Sequence, residues 1–344
     1  MALISAQLPL AANAALFTLA AVVIGVAGWK LAATANEIAE RTGLGQALTG
    51  AVFLGAATSL SGTVTSVTAA AAGHGELAFS NAIGGIAAQT AFLAVADMTY
   101  ARANLEHAAA SVANIMQGTL LVAMLGLVLA GMTAPPVAWW GVHPVCYVLP
   151  VAYVLGVRMV SRAHTEPMWR PQRTAETRED APAKRRQYRG LARLWLRFIV
   201  LAAPVAVAGW VVAESGVALA RQTGLSQSAV GALFTAVATS FPELVTCLAA
   251  VRQGALTLAV GDIIGGNVFD TLFLPLSDIA YREGSILHAA GWHGQFITVV
   301  PVLLTGVLLM GLVRREKSGI ANIGFESFLV LVIYLAMAAV LLIA

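Results

Sequence analysis

Two carboxylates stand where a carboxylate is expensive. Glu243 ends the stretch Ala238-Thr239-Ser240-Phe241-Pro242-Glu243. Asp270 ends Gly261-Asp262-Ile263-Ile264-Gly265-Gly266-Asn267-Val268-Phe269-Asp270, and both stretches lie inside long apolar runs. A charged side chain at the centre of a bilayer costs about 2.5–3.5 kcal/mol on insertion scales, so such residues are rare there and usually functional. Pro242 has no N–H, which leaves the carbonyl of Ala238 without its helical donor. In hydrocarbon, such a carbonyl survives only when buried in protein or turned to water or an ion. Thr239 and Ser240 precede Glu243 by four and three residues, a spacing that puts them on its helical face. In the next run Gly265-Gly266 permits close helix approach or local unwinding, and Asn267 and Asp270 share a face. The donors are all oxygen, which suits hard cations such as Na⁺ and Ca²⁺. These residues are expected to form one half of an ion site.

The rest of the chain reads as the scaffold for that site. Of 344 residues 59% are hydrophobic and 11% charged, with mean hydropathy +0.81; soluble domains carry about 25% charged residues. The apolar runs lack the period-two alternation of a membrane β-barrel. The expected fold is an all-α integral membrane protein with ten transmembrane helices. Five fall near Leu8–Ala33, Gln46–Ala72, Leu77–Met98, Ala110–Gly131 and Val137–Val160. Five more fall near Leu194–Ala220, Ser226–Val251, Leu256–Ile279, Gly294–Val313 and Ile323–Ile343. The domains read as residues 1–163, a basic linker 164–193, and residues 194–344. The linker holds Arg170, Arg173, Arg178, Lys184, Arg185, Arg186 and Arg189. Basic loops stay cytoplasmic, so the linker is expected inside the inner (plasma) membrane and both termini outside. Lys30, Arg41, Arg102, Arg252, Arg314, Arg315 and Lys317 agree; Arg221 and Arg282 are outer exceptions. No Lys or Arg precedes Lys30, so the first run reads as a retained span and not a cleaved signal.

A repeat organises these spans. Shifted by 181 positions, Thr42–Asp97 aligns with Thr223–Asp278 without a gap, and roughly 40% of the window is identical. Thr42-Gly43-Leu44 meets Thr223-Gly224-Leu225, Ala57-Thr58-Ser59 meets Ala238-Thr239-Ser240, and Ile83-Gly84-Gly85 meets Ile264-Gly265-Gly266. Each half holds an odd number of spans, so the second half enters the membrane in the opposite sense. Such inverted-topology five-helix repeats are typical of secondary transporters with a midplane site.

With these motifs, the sequence resembles the cation/Ca²⁺ exchanger superfamily, the membrane domain of sodium/calcium exchangers. The resemblance covers the ten-span layout and both repeats. It is sharp in the second, where Thr239, Ser240, Glu243 and Asp270 match ligand positions. It implies alternating-access antiport of Na⁺ or H⁺ against Ca²⁺ or a related cation. The first half departs from that pattern. Gly62 stands where the family has a glutamate, Ser61 replaces the proline, and Gln89 replaces the closing Asn or Asp. That half is left with Thr58, Ser59 and Gln89 as oxygen donors, and with Asn81 in a supporting place. Because Ser61 keeps its N–H, no carbonyl need be freed on that side. Two carboxylates could balance one Ca²⁺, two Na⁺, or protons. The alternatives are a Na⁺/H⁺ or K⁺-type exchanger of the same fold, or a non-transporting membrane scaffold or sensor. No nucleophile elbow, phosphate loop or zinc motif is present, so no enzyme activity, resident cofactor or nucleic-acid partner is expected. The partners are inorganic cations and the bilayer. Asp97 and Asp278, equivalent under the shift, read as helix-end residues.

Overall fold

Leu10–Thr42 forms one helix, α1, interrupted by a π-turn at Ile24–Gly28. In the computed structural model the residues described are 8–42, 53, 55–100, 103–165, 172, 190–317 and 324–343. After α1 come α2 (Leu60–Ala71), α3 (Gly75–Thr99), the short α4 (Leu105–Ala108), α5 (Val112–Thr133) and α6 (Pro144–Thr165). The second half holds α7 (Leu191–Thr223), α8 (Gln227–Thr239, with a π-turn at Val230–Thr235), α9 (Phe241–Gln253) and α10 (Leu256–Asp270). It closes with α11 (Phe273–Ala280), the short α12 (Ile286–Ala289), α13 (Gly291–Arg314) and α14 (Phe325–Ile343). Among the described residues eight helices are long and apolar enough to cross a membrane, or nine if the bent pair α8 and α9 counts as one span. Part of the expected second span, residues 46–52 and 54, lies outside the described residues, as does most of the linker.

The halves match in structure at the offset of the sequence repeat. α1 and α7 each have 33 residues, and Leu10 and Thr42 map onto Leu191 and Thr223. α3, Gly75–Thr99, maps onto the 25-residue span Leu256–Ala280, and α4 maps onto α12. Gly73 and Gly254, equivalent residues, have φ of 83° and 77°, the left-handed conformation that lets the chain turn sharply into α3 and α10.

Several boundaries differ from the sequence reading. α1 and α7 run past the expected ends, because polar turns such as Ala35–Thr42 remain helical beyond the apolar stretch. α6 starts at Pro144 and not Val137. Trp139 and Val142 pair across a tight turn in which Trp140 and Gly141 take φ of 51° and 82°, and no helix passes through such dihedrals. The expected continuous span Ser226–Val251 is bent by 47° at Ser240.

Small residues let the elements meet closely, as membrane packing requires. Gly84 lies against the backbone of Ala232, and a Cβ on Gly231 would meet the Leu77 carbonyl oxygen at 2.8 Å, so α3 and α8 touch backbone to backbone. Contacts between halves come in reciprocal pairs. A Cβ on Gly28 of α1 would meet Pro242 Cγ at 2.5 Å; one on Gly209 of α7, the equivalent residue, would meet the carbonyl oxygen of Ser61, the equivalent of Pro242, at 2.7 Å.

Asp97 and Asp278 show the same reciprocity. Asp97 accepts from the backbone N–H of Leu105 at 2.6 Å and of Gly324 at 3.1 Å. Asp278 accepts from Ile286 at 2.7 Å and from His143 at 2.7 Å. Each acid therefore caps the short helix of its own half and holds the entry to the last helix of the other half. His107 meets the Arg315 carbonyl at 2.6 Å, and the equivalent His288 meets that of Ala134 at 2.9 Å.

Candidate functional site

The breaks that end α8 and precede α2 bring the site together. At Ser240 the backbone leaves the helix (φ −96°, ψ 5°), and Phe241 and Pro242 start α9. Thr239 and Ser240 therefore do not share one continuous helical face with Glu243, because the bend lies between them. Ser59, the equivalent of Ser240, also leaves the helix (φ −88°, ψ 13°) although no proline follows. The first half is broken after all, and retention of the Ser61 N–H does not prevent it.

Ser61 has a use that the alignment hides. The Thr239 carbonyl ends α8 at the break, where the helical ladder gives it no backbone donor. The Ser61 hydroxyl supplies one, at 3.0 Å. The residue in the proline's place in one half thus satisfies a carbonyl that the proline break exposes in the other. Asn81 holds the segment from behind, donating to the Gly62 carbonyl at 3.3 Å and the Ser66 hydroxyl at 2.9 Å.

Asp270 lies at the centre. Its Oδ1 accepts from the Ser59 hydroxyl at 2.5 Å and its Oδ2 from Gln89 Nε2 at 2.7 Å. Gln89 Nε2 also lies 3.3 Å from Ser240 Oγ, the reciprocal of the Ser59–Asp270 contact. Asn267 donates to Thr90 Oγ1 at 3.0 Å. Glu243, Asp270, Ser59, Ser240, Thr239, Gln89 and Asn267 are all buried, and the charges of Glu243 and Asp270 are close enough to interact. Among the described residues three acceptors here have no hydrogen-bond partner: Gln89 Oε1, Asn267 Oδ1 and Glu243 Oε2. Buried oxygens without donors are costly unless a cation or proton faces them.

The structure therefore brings Ser59, Gln89, Ser240 and Asp270 into direct contact, with Glu243 and Asn267 beside them. The threonines are turned away. Thr239 donates to the Thr235 carbonyl at 2.9 Å, and Thr58, half-buried, donates to that of Gly55 at 3.2 Å. Ala238 is buried at the break. Ser61, read only as the residue in the proline's place, and Thr90 were not among the expected site residues. The alignment of Ser61 with Pro242 was the available signal for the first.

The comparisons agree on what the chain resembles. A family model described as sodium/calcium exchanger protein matches residues 12–158 and 193–343. The inner membrane protein YrbG of Escherichia coli is 37% identical over 84 residues, 24% of this chain and 25% of that protein. The sodium/calcium exchanger MaX1 of Methanosarcina acetivorans is 27% identical over 152 residues, 42% of each. The chain thus spans a quarter to under half the length of these relatives. Among solved structures, the sodium-calcium exchanger NCX_Mj superposes with a TM-score of 0.61 at 17% identity, covering 96% of this chain and 99% of that one. The H⁺/Ca²⁺ exchanger CAX does so with 0.66 at 11%, covering 96% and 86%. At these identities the structures speak for the fold alone.

Proposed function

Since the chain belongs to the sodium/calcium exchanger protein family, multi-pass membrane transporters of inorganic cations and not enzymes, we propose that it is a secondary active cation antiporter. Its site is built by Glu243, Asp270, Asn267, Gln89, Ser59 and Ser240, with the Thr239, Thr58 and Ala238 backbone at the rim. One observation carries this reading. Three partnerless acceptor oxygens, on Gln89, Asn267 and Glu243, gather beside the buried Asp270 carboxylate. Hard cations take such oxygens at 2.3–2.6 Å in the case of Ca²⁺. Two carboxylates balance one Ca²⁺ or two Na⁺. These ions are cargo, and the site needs no resident cofactor.

The reciprocal contacts of the halves support inverted topology, with residues 1–163 and 194–344 as the two repeats and ten spans in all. They also support alternating access. Asp262, one face along α10 from Gly266 and Asp270, is exposed, whereas its equivalent Asn81 is 1% exposed. This difference in exposure at matching positions is in keeping with a site open to one side. With the basic linker in the cytoplasm of an inner (plasma) membrane and the termini outside, the Asp262 side faces the cell interior. Protons are the second candidate counter-ion, because Glu243 Oε2, buried without a donor, is relieved by protonation as well as by a cation.

The test is isotope uptake into proteoliposomes for Na⁺, K⁺ and Ca²⁺, with Na⁺ and pH gradients varied separately. Coupling to one gradient identifies the counter-ion. Undiminished flux in Glu243→Gln refutes the site, and failure of every cation to bind the wild type points to a scaffold or sensor.

A further inference from the structure

Gly62 is the equivalent of Glu243 in the first half, and it has no room for a side chain. A Cβ there would meet Phe273 Cε2 at 2.7 Å and Cζ at 3.2 Å. Seven residues earlier, on the same side of the segment, a Cβ on Gly55 would meet both Phe269 Cδ2 and Cγ at 2.8 Å. Phe269 and Phe273 bracket Asp270 in sequence and meet edge to face, with centroids 6.5 Å apart at 79°. Tyr153 closes on Phe269 at 5.9 Å and 81°. Both phenylalanines are buried.

The halves differ at three of the four equivalent positions. Ala236 and Glu243 stand where the first half has Gly55 and Gly62, and Ala88 and Phe92 stand where the second half has Phe269 and Phe273. Ring volume is exchanged between positions 88 and 269, while a phenylalanine stands at both 92 and 273. On one side there is a carboxylate; on the other a glycine pair with two rings seated in it.

We propose that Phe273 sets the charge capacity of the cation site. This rests on the exchanger reading above and deepens it. The ring occupies the space that an acid at position 62 would take, which leaves Glu243 and Asp270 as the carboxylates among the site residues described above. Buried positive charge beyond theirs is uncompensated and costly, so the site loads at most two positive charges.

Four variants of the purified full-length protein test this: Gly62→Ala, Gly62→Glu, Phe273→Ala and the double Gly62→Glu/Phe273→Ala. Thermal midpoints and the number of Na⁺ bound per protein at saturation are the readouts. Gly62→Ala is expected to lower the midpoint by about 3 °C or more in the wild-type background and by less than half as much beside Phe273→Ala. Phe273→Ala alone keeps the wild-type Na⁺ count. Gly62→Glu alone loses binding, and the double variant binds one Na⁺ more than the wild type. Equal destabilisation by Gly62→Ala with and without the ring overturns the proposal, as does a folded double variant with the wild-type count. Should the double variant not fold, the Gly62→Ala and Phe273→Ala cycle still decides. A wild type that binds no cation while the thermal coupling persists refutes the exchanger reading. Cation binding without the coupling refutes the role of Phe273 alone.

Discussion

Gln89 and Asp270, 181 residues apart and equivalent in the two halves of the chain, are hydrogen-bonded to each other, Nε2 to Oδ2, at 2.7 Å. A residue that bonds to its own repeat equivalent lies where the two halves meet. Only one of the pair is an acid, and the amide of the other holds it. Gln89→Glu would set two carboxylates at hydrogen-bond distance, and such a pair keeps one proton between them. Ca²⁺ binding by this variant should release about one more proton per ion than the wild type does, read with a pH indicator in weak buffer. Gln89→Leu removes the donor and should weaken cation binding on the order of tenfold to a hundredfold, the worth of a charged hydrogen bond.

Asp97 and Asp278 each accept two backbone N–H groups. An asparagine retains one acceptor oxygen, so Asp97→Asn and Asp278→Asn should each lose about 2 kcal/mol of stability. Because the two acids do the same work in the two halves, their losses should be similar. Thermal midpoints check the size, and isotope uptake should show ion preference unchanged in both.

Glu106 introduces a pH dependence that is separate from transport. It lies on α4, between membrane spans, and accepts from the Ser327 hydroxyl at 2.6 Å, near Asp97 and Glu326. Arg314 reaches toward Glu326 at 3.7 Å. Burial, and next the charge of Asp97, push the Glu106 carboxyl up from 4.5 to about 7. A raised folded-state value favours the protonated form, so its contribution to stability is complete below about pH 4.5 and is lost as pH rises through about 7. The thermal midpoint should therefore fall between roughly pH 5 and 8, and Glu106→Gln should flatten that fall.

Ser61→Ala strands the Thr239 carbonyl. The cost of an unpaired buried acceptor is about 1–3 kcal/mol. Thr63→Ala, which removes a hydroxyl that bonds back to the Ser59 carbonyl in its own helix, should cost far less. Equal losses in the two variants by denaturant melting would show that Ser61 acts only as a space-filler.

Much of this was legible in the chain itself. The two acids in apolar runs and Pro242 pointed to Asp270, Glu243 and Ser240, and the resemblance to Gln89; the structure buries all four and joins Gln89 to Asp270 and Ser240. The threonines were read too favourably. A hydroxyl at helical spacing bonds back to its own turn as readily as it faces a ligand, and Thr239 and Thr58 both do so. The break at Ser59 could not be read, because no proline marks it. What made it visible is a contact 211 positions away, the Ser59–Asp270 hydrogen bond. Gly62 left a question that only cross-half packing answers. An alignment shows that the carboxylate is gone but not that Phe273 fills its place. The start of α6 was misplaced because Val137–Val142 is apolar enough for a span, while the dihedrals of Trp140 and Gly141 rule a helix out.

The capping by Asp97 and Asp278 has a consequence for how the protein is made. The N–H of His143, at the entry to α6, is held by an acid of the second half, and that of Gly324, at the entry to α14, by an acid of the first. Each half lends the other the group that starts its last helix. Neither half is therefore a self-sufficient folding unit. During synthesis the entry to α6 must wait, with the His143 donor unmet, until the chain has emerged through Asp278. A polypeptide cut in the basic linker should fold only when both pieces are present together.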